Sequence, residues 1–181
     1  MRHRALLVVP LALLAVLAGC GGPTGGGAAA TPTALSASYS SVDGEYQQTK
    51  QQLGLPDGMS FPAHLPNTGG MYVPGAGAIQ AQNFWLCAWL RDFIAAGSAD
   101  PARAQKAASL LPTYTSMSAY IGGLDPAGKA KVDATFQGIQ RGDKGSAGAL
   151  VESSCGGPFF SLAAPPSAGP GSVAPSPSAS K

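Results

Sequence analysis

Histidine is almost missing from this chain. His3 and His64 are the only two, and His3 stands in the basic start of the sequence. A Ser-His-Asp arrangement could therefore be built in one way only, on His64, with Asp57 nearby in sequence. No G-x-S-x-G turn accompanies it, and Gly145-Ser146-Ala147-Gly148 has the wrong spacing. His64 lies between Pro62 and Pro66, where a surface or hydrogen-bonded loop histidine is the ordinary role; a hydrolase using His64 is kept only as a distant alternative.

Other chemistries are excluded by similar shortages. Glu45 and Glu152 are the only glutamates and the aspartates are scattered, so neither a glycosidase-like carboxylate pair nor a nest of hard oxygen ligands can be picked out. There is no C-x-x-C and no histidine close to Cys87 or Cys155, which leaves structural zinc and thiol redox chemistry without their residues. Lys and Arg form no run and no stripe interleaved with aromatics, so nucleic acid is not an expected partner. No catalytic residue, metal or cofactor is assigned, and no strand pattern stands out.

What the chain does have begins at its N-terminus. Met1-Arg2-His3-Arg4 precedes an apolar stretch from Ala5 to Ala18 and then small residues, the layout of a secretory signal. The stretch is too short to span a bilayer comfortably, which takes roughly 20 apolar residues. Leu17-Ala18-Gly19-Cys20 resembles the bacterial lipobox. The resemblance implies that the Cys20 thiol takes a diacylglycerol, that residues 1–19 are removed, and that the protein is exported and held by lipid (diacylglycerol, palmitate) on the outer face of the bacterial cytoplasmic membrane. Several buried acyl chains, at about 0.8 kcal/mol per CH₂, anchor stably where one would be marginal. Arg2 and Arg4 are not adjacent, which favours general secretion over the twin-arginine route. An ordinary secretory signal with an incidental cysteine is the alternative.

Without residues 1–19 the surplus of positive charge disappears, because Arg2 and Arg4 leave and nine basic side chains then face nine acidic ones. Composition divides the remainder into three parts. Residues 20–38 are Gly, Ala, Thr, Pro and Ser and read as the acylated N-terminus with a flexible linker. Residues 161–181 read as a disordered Pro/Ser/Ala-rich tail. Residues 39–160 hold both Trp and all six Phe and suit one domain. Thr31–Thr33 and the Ser-Pro repeats of the tail could carry O-glycans. With Cys20 acylated, Cys87 and Cys155 remain as an expected disulfide in an oxidising compartment. It would close a loop of roughly 68 residues, which the chain-entropy picture values at about 4 kcal/mol.

The domain reads as mainly α: a small, disulfide-pinned, antiparallel helical bundle. Residues 78–96 are apolar around most of a helix, with Gln80, Asn83, Cys87 and Arg91 as the one polar stripe. Asp100-Pro101 and Asp125-Pro126 each place a cap acceptor before a first-turn proline. Pro112 should kink or end the helix begun by Asp100-Pro101, with a continuation as far as Gly122-Gly123. The next helix ends at Gly142, and a short last one, capped by Asp143, carries Cys155 at its end. Such short connections favour antiparallel neighbours. Residues 42–53 suit a weaker helix. Residues 54–77 are too rich in Pro and Gly for regular structure yet too apolar to dangle, and are expected to wrap across the bundle as an ordered loop. The run Pro74-Gly75-Ala76-Gly77 followed by Phe84-Trp85-Leu86-Cys87-Ala88-Trp89 resembles a segment of exported actinobacterial lipoproteins; the resemblance covers about a quarter of the chain and implies no activity.

Four features are candidates for function. Gly123 to Lys129 has the spacing of a phosphate loop, but Ala130 stands where Ser or Thr would bind metal and no strand precedes it. Arg141-Gly142-Asp143 spells an adhesion tripeptide that a helix end and a helix cap explain equally well. Gln80, Asn83 and Arg91 offer a contact face, or simply a solvated one. Trp85 and Trp89, with Phe61 and Tyr72 of the loop, could floor a ligand pocket or merely belong to the core. The expectation is a membrane-anchored, non-enzymatic binding or interaction domain of the cell envelope, its partner an envelope protein; the alternative is a carrier of a small apolar ligand or lipid.

Overall fold

The computed structural model describes residues 36–163. The signal segment, most of the linker, Cys20 and most of the tail lie outside the described residues. The described part is mainly helical, with α1 (Tyr39–Lys50), α2 (Ala76–Ala96), α3 (Pro101–Leu110), α4 (Ser118–Ile121), α5 (Pro126–Gln140), α6 (Lys144–Ser154) and α7 (Pro158–Ser161). A 3₁₀ turn, Leu111–Ser116, joins α3 to α4. Among the described residues the one β-bridge pairs Ala37 with Tyr72, and no helix is long and apolar enough to cross a membrane.

The helix ends follow the capping residues. Asp100 accepts the N–H of Arg103, Asp125 that of Gly128, and Asp143 those of Gly145 and Ser146. Each satisfies donors the first turn would otherwise leave unpaired. Pro112 converts the end of α3 into the 3₁₀ turn, as its missing N–H requires. Gly123 to Lys129 is a helix start: Lys129 Nζ donates to the Ile121 carbonyl at 2.7 Å. Gly142 closes α5 in the left-handed region, at φ 81°. Several boundaries depart from the sequence reading: α1 ends at Lys50 and not at Leu53, and α2 begins at Ala76, inside the stretch read as loop. α1 begins at Tyr39, not Val42, because the Ser38 hydroxyl caps it by accepting the Ser41 N–H. The short α7, which periodicity could not reveal in four residues, starts at Pro158.

α2 is the central element: α1, α3 and α6 lean on it directly, and α5 adds its buried side chains to the same core. Paired residues fix the directions. Asp92 meets Arg103 while Asn83 meets Tyr114, so the chain from α3 onward runs back along α2. Tyr120 meets Asp133 and Ala108 meets Gln140, which turns α5 forward again. Gly138 faces Ser146, and the disulfide joins Cys87 to Cys155, so α6 returns. These helices alternate as their short connections require. α1 differs. Val42 touches Gly77 and the Gly54 carbonyl accepts the Trp89 indole N–H at 3.0 Å, so α1 runs in the same sense as α2. A parallel neighbour needs a long return connection, and residues 51–75 provide it, wrapping the bundle with Leu53, Leu55, Met59 and Phe61 against the core.

The core is continuous along α2. Phe84, Trp85, Leu86, Trp89, Leu90 and Phe93 are buried against Leu111, Tyr114, Val132, Phe136, Ile139 and Leu150. A second cluster holds Val42, Tyr46, Leu65 and Ala81 under the wrapping loop. Gly77 joins the two: a Cβ there would lie 1.9 Å from the Val42 carbonyl oxygen.

Candidate functional site

Alongside α1 the bundle leaves an apolar groove of about 470 Å³, within the size range of small-molecule sites. Three segments build it. Val42 of α1 and Ala76 and Gln80 of α2 form the floor, Leu65 to Tyr72 of the loop one wall, and Gly156 to Phe160 the other. No Asp, Glu, Lys, Arg or His lines it.

Each wall is held by polar contacts placed behind the apolar lining. Leu65 is fixed from both sides: its carbonyl accepts the Tyr39 hydroxyl at 2.8 Å and its N–H donates to Asp43 Oδ1 at 2.9 Å. Asp43 Oδ2 also meets His64 Nδ1 at 2.7 Å. Gln47 and Lys50 bind the Ala63 carbonyl, at 2.6 and 2.9 Å, and the Tyr46 hydroxyl binds that of Pro62. Partial burial pulls the Asp43 carboxyl upward in pKa, but the hydrogen bonds from His64, Leu65 and Gln47 outweigh it and hold the carboxyl below its ordinary value. Burial, with the nearby Asp43 charge, pushes the Tyr46 phenol well above its ordinary value.

The opposite wall hangs on Arg91, whose guanidinium donates to the carbonyls of Phe160 and, at 2.9 Å, Cys155. Desolvation lowers the Arg91 pKa from its ordinary value. The disulfide fixes the same segment from the other end, and Phe159 packs edge-on against Tyr46 and Phe84.

The α2 terminus beneath the floor is capped from another helix. Gly75 at φ 86° has no side chain to cap with; instead the two Glu45 carboxylate oxygens accept the N–H groups of Gly75 and Gly77, at 3.0 and 3.1 Å. A carboxylate at that end also complements the helix dipole.

The residues singled out from sequence divide among these features. Gln80 lines the groove, whereas Asn83 accepts the Tyr114 hydroxyl at 2.6 Å and Arg91 braces the C-terminal wall; both latter side chains are engaged inside the fold. Tyr72 lines the groove. Phe61 packs on Tyr46 and Phe84, and Trp85 and Trp89 are buried with ring centroids 6.4 Å apart. The four aromatics therefore do not converge on one cavity. His64 pairs with Asp43, while Asp57 lines a different cleft; among the described residues no hydroxyl is hydrogen-bonded to His64.

That other cleft, about 330 Å³, lies between α2, α3 and the loop and is charged. Asp92 is only 1 % exposed, and Arg103 donates to its Oδ1 through both Nε, at 2.8 Å, and Nη2. The pairing with Asp92 raises the Arg103 pKa further. Of the charges lining it, Asp92 and Arg103 are paired with each other, and Lys106 lies over the Trp89 ring.

Sequence reasoning missed the wall formed by Pro158, Phe159 and Phe160. The signal was present, a first-turn proline followed by two large aromatics, but it stood at the edge of the polar tail and had no periodicity to place it. Compared with protein families, curated proteins and solved structures, the chain matches none.

Proposed function

We propose that this protein is an exported, Cys20-anchored binding domain of the cell envelope, without catalysis of its own, that holds a small apolar ligand or acyl chain in the groove between α1, the 65–72 segment and the 156–160 segment. The observation that carries this reading is the contrast within the groove. Its lining contains no Asp, Glu, Lys, Arg or His, yet its walls are braced by Asp43, Tyr39 and Arg91 from behind. A groove kept open by polar contacts, instead of collapsing, suits a ligand that brings apolar area and asks for little polar recognition.

Gly156 provides the test. It lines the groove, and a Cβ added there meets nothing within 4 Å, so Gly156→Leu adds bulk at the groove wall with little disturbance of the fold. A fluorescent fatty acid should bind the lipoprotein saturably, and Gly156→Leu should weaken that binding by about tenfold or more with the melting temperature unchanged. Absence of saturable binding, or identical binding by the variant, would overturn the proposal. Native mass spectrometry of protein extracted gently from its membrane tests the anchor, through diacylglycerol mass on Cys20.

A further inference from the structure

The charged cleft of about 330 Å³ shares no lining residue with the apolar groove. Three carboxylates from three segments line it: Asp57 of the wrapping loop, Asp92 of α2 and Asp100, the cap of α3. Against them stand two cations, Arg103 and Lys106, so the cleft has an excess of negative charge.

Arg103 is engaged by Asp92 alone. Its Nε and Nη2 both donate to Oδ1, and the Asp92 side chain is 2 % exposed where that of Arg103 is 39 % exposed. No donor of the described residues reaches Asp92 Oδ2. Since no fully buried side-chain oxygen among these residues lacks a partner, Oδ2 opens into the cleft that its residue lines. A carboxylate oxygen at the base of a cleft, largely withdrawn from water, accepts charge-assisted hydrogen bonds strongly. At the rim, Asp100 gives Oδ1 to the Arg103 N–H and keeps Oδ2. The two ion pairs among the described residues are His64–Asp43 and Arg103–Asp92, so Asp57 and Asp100 are in neither. Both still act on the same point as Asp92. The hydrogen bonds to Asp92 raise the Arg103 pKa most, and the charges of Asp92, Asp100 and Asp57 add to this against the lowering by burial.

We infer that this cleft binds a primary alkylammonium group, its N–H donors meeting the free oxygens of Asp57, Asp92 and Asp100 and its stem lying along Pro56 and Ala102. The excess of carboxylate disfavours an anion. Among the described residues no three acidic, histidine or cysteine side chains are placed to hold a metal ion. Metal–oxygen bonds of about 2.0–2.6 Å demand close convergence, whereas an ammonium reaches its acceptors at about 2.8 Å. Lys106 shows the class of group that fits: its ammonium lies 5.7 Å from the centroid of the buried Trp89 ring, where an aromatic face attracts a cation.

The test is a titration of the full chain, ¹⁵N-labelled and held in detergent micelles, with n-pentylamine at about pH 7, where the amine is protonated. The Trp89 indole N–H, bound to the Gly54 carbonyl, reports on the cleft; that of Trp85, which does not line it, is the control. A saturable shift of the Trp89 signal is expected, with Trp85 unmoved. The chain as a whole has formal net charge +2, so such binding cannot come from overall charge. Asp57→Asn and Asp100→Asn should each weaken binding by about two- to fivefold, asparagine keeping the α3 cap. Asp57 is exposed, so Asp57→Asn remains decisive even if Asp100→Asn unfolds. Lys106→Met, which removes a competing ammonium, should strengthen binding by a similar factor. n-Pentyltrimethylammonium, with the same charge and no N–H donor, should bind at least about fivefold more weakly. Binding of Nα-acetyl-lysinamide beside pentylamine would assign the group to a peptide lysine, and binding of pentylamine alone to a free amine. No saturable shift at Trp89, an equal shift at Trp85, undiminished affinity in the folded Asp variants, or equal binding of the trimethylated amine would each overturn the inference. None of these outcomes depends on whether the apolar groove holds a ligand.

Discussion

The backbone of Gly77 lies directly against Val42, so close that a Cβ at position 77 would sit 1.9 Å from the Val42 carbonyl oxygen and 2.8 Å from the Tyr46 nitrogen. This contact lets α1 and α2 approach backbone to backbone and brings Glu45 within reach of the α2 N-terminus. It also sets the floor of the groove, because Val42 and Ala76 flank it.

Gly77→Ala should therefore be costly. Backbone atoms cannot rotate aside as a side chain can, and the destabilisation should reach about 3 kcal/mol, the upper part of the overpacking range. Gly44 is the control. It is a helix-interior glycine whose added Cβ would meet nothing within 4 Å, so Gly44→Ala should stabilise by about 0.5–1 kcal/mol. Urea denaturation of the two variants measures both signs; equal effects would contradict the close approach.

Glu45→Gln keeps the size of the side chain but removes the charge facing the α2 dipole and one of the two acceptors, since an amide nitrogen cannot accept the Gly75 or Gly77 N–H. A loss of about 1–3 kcal/mol is expected, of which the dipole part, about 0.5–1 kcal/mol, decreases as salt is added. A salt-independent loss would mean that the hydrogen bonds alone matter.

The Cys87–Cys155 disulfide closes a loop of 68 residues, for which loop-closure entropy corresponds to about 4 kcal/mol. Its reduction should lower the denaturation midpoint markedly. It should also release the C-terminal groove wall, detected as faster amide exchange at residues 156–161 than in α5. Unchanged exchange there would show that Arg91 alone holds the wall.

Arg103→Ala strands the buried Asp92 carboxylate. The cost should be about 3 kcal/mol, the low end for breaking a buried pair, because the guanidinium is partly exposed and already screened. Replacing both residues with Asp92→Leu and Arg103→Leu should recover much of it. A double variant as unstable as the single one would show that the pair itself contributes net stability.

Stability should fall at both ends of the pH scale, for different groups. Asp43 has a folded-state pKa below its unfolded value, so its contribution is present above about pH 4 and is lost as pH falls further; Asp43→Asn and the unaltered protein should converge there. The Tyr114 phenol is pushed up to about 12 by burial. Its contribution is complete below about pH 10 and lost as pH rises from there towards 12. Tyr114→Phe should be less sensitive over that interval, as followed by circular dichroism at fixed urea.

The elements legible in the sequence are those whose cause is local. Asp100-Pro101, Asp125-Pro126, Asp143 and Gly142 act within one turn of where they stand, and each helix boundary they mark is where they put it. α2 was legible as central because its apolar residues cover most of its circumference, and the pairing of Cys87 with Cys155 because the lipobox resemblance assigns the third cysteine, Cys20, to another role. Asn83, Arg91 and His64 were not legible, since whether a polar side chain faces water or a carbonyl depends on residues far along the chain: 31 positions for Asn83 with Tyr114, and 64 for Arg91 with Cys155.

The sequence by itself determined that the described chain is helical, where the capped helices α3, α5 and α6 start, and that most of α2 is apolar enough to be central, because capping, proline geometry and apolar periodicity are properties of neighbouring residues. Only the tertiary structure decided that α1 lies parallel to α2, that Glu45 caps a helix other than its own, and that Leu65, Tyr72 and Phe159 face one groove. Those relationships depend on backbone approach between segments with no periodicity in common, set by the contact of the bare Gly77 backbone with Val42 and by the path of the wrapping loop.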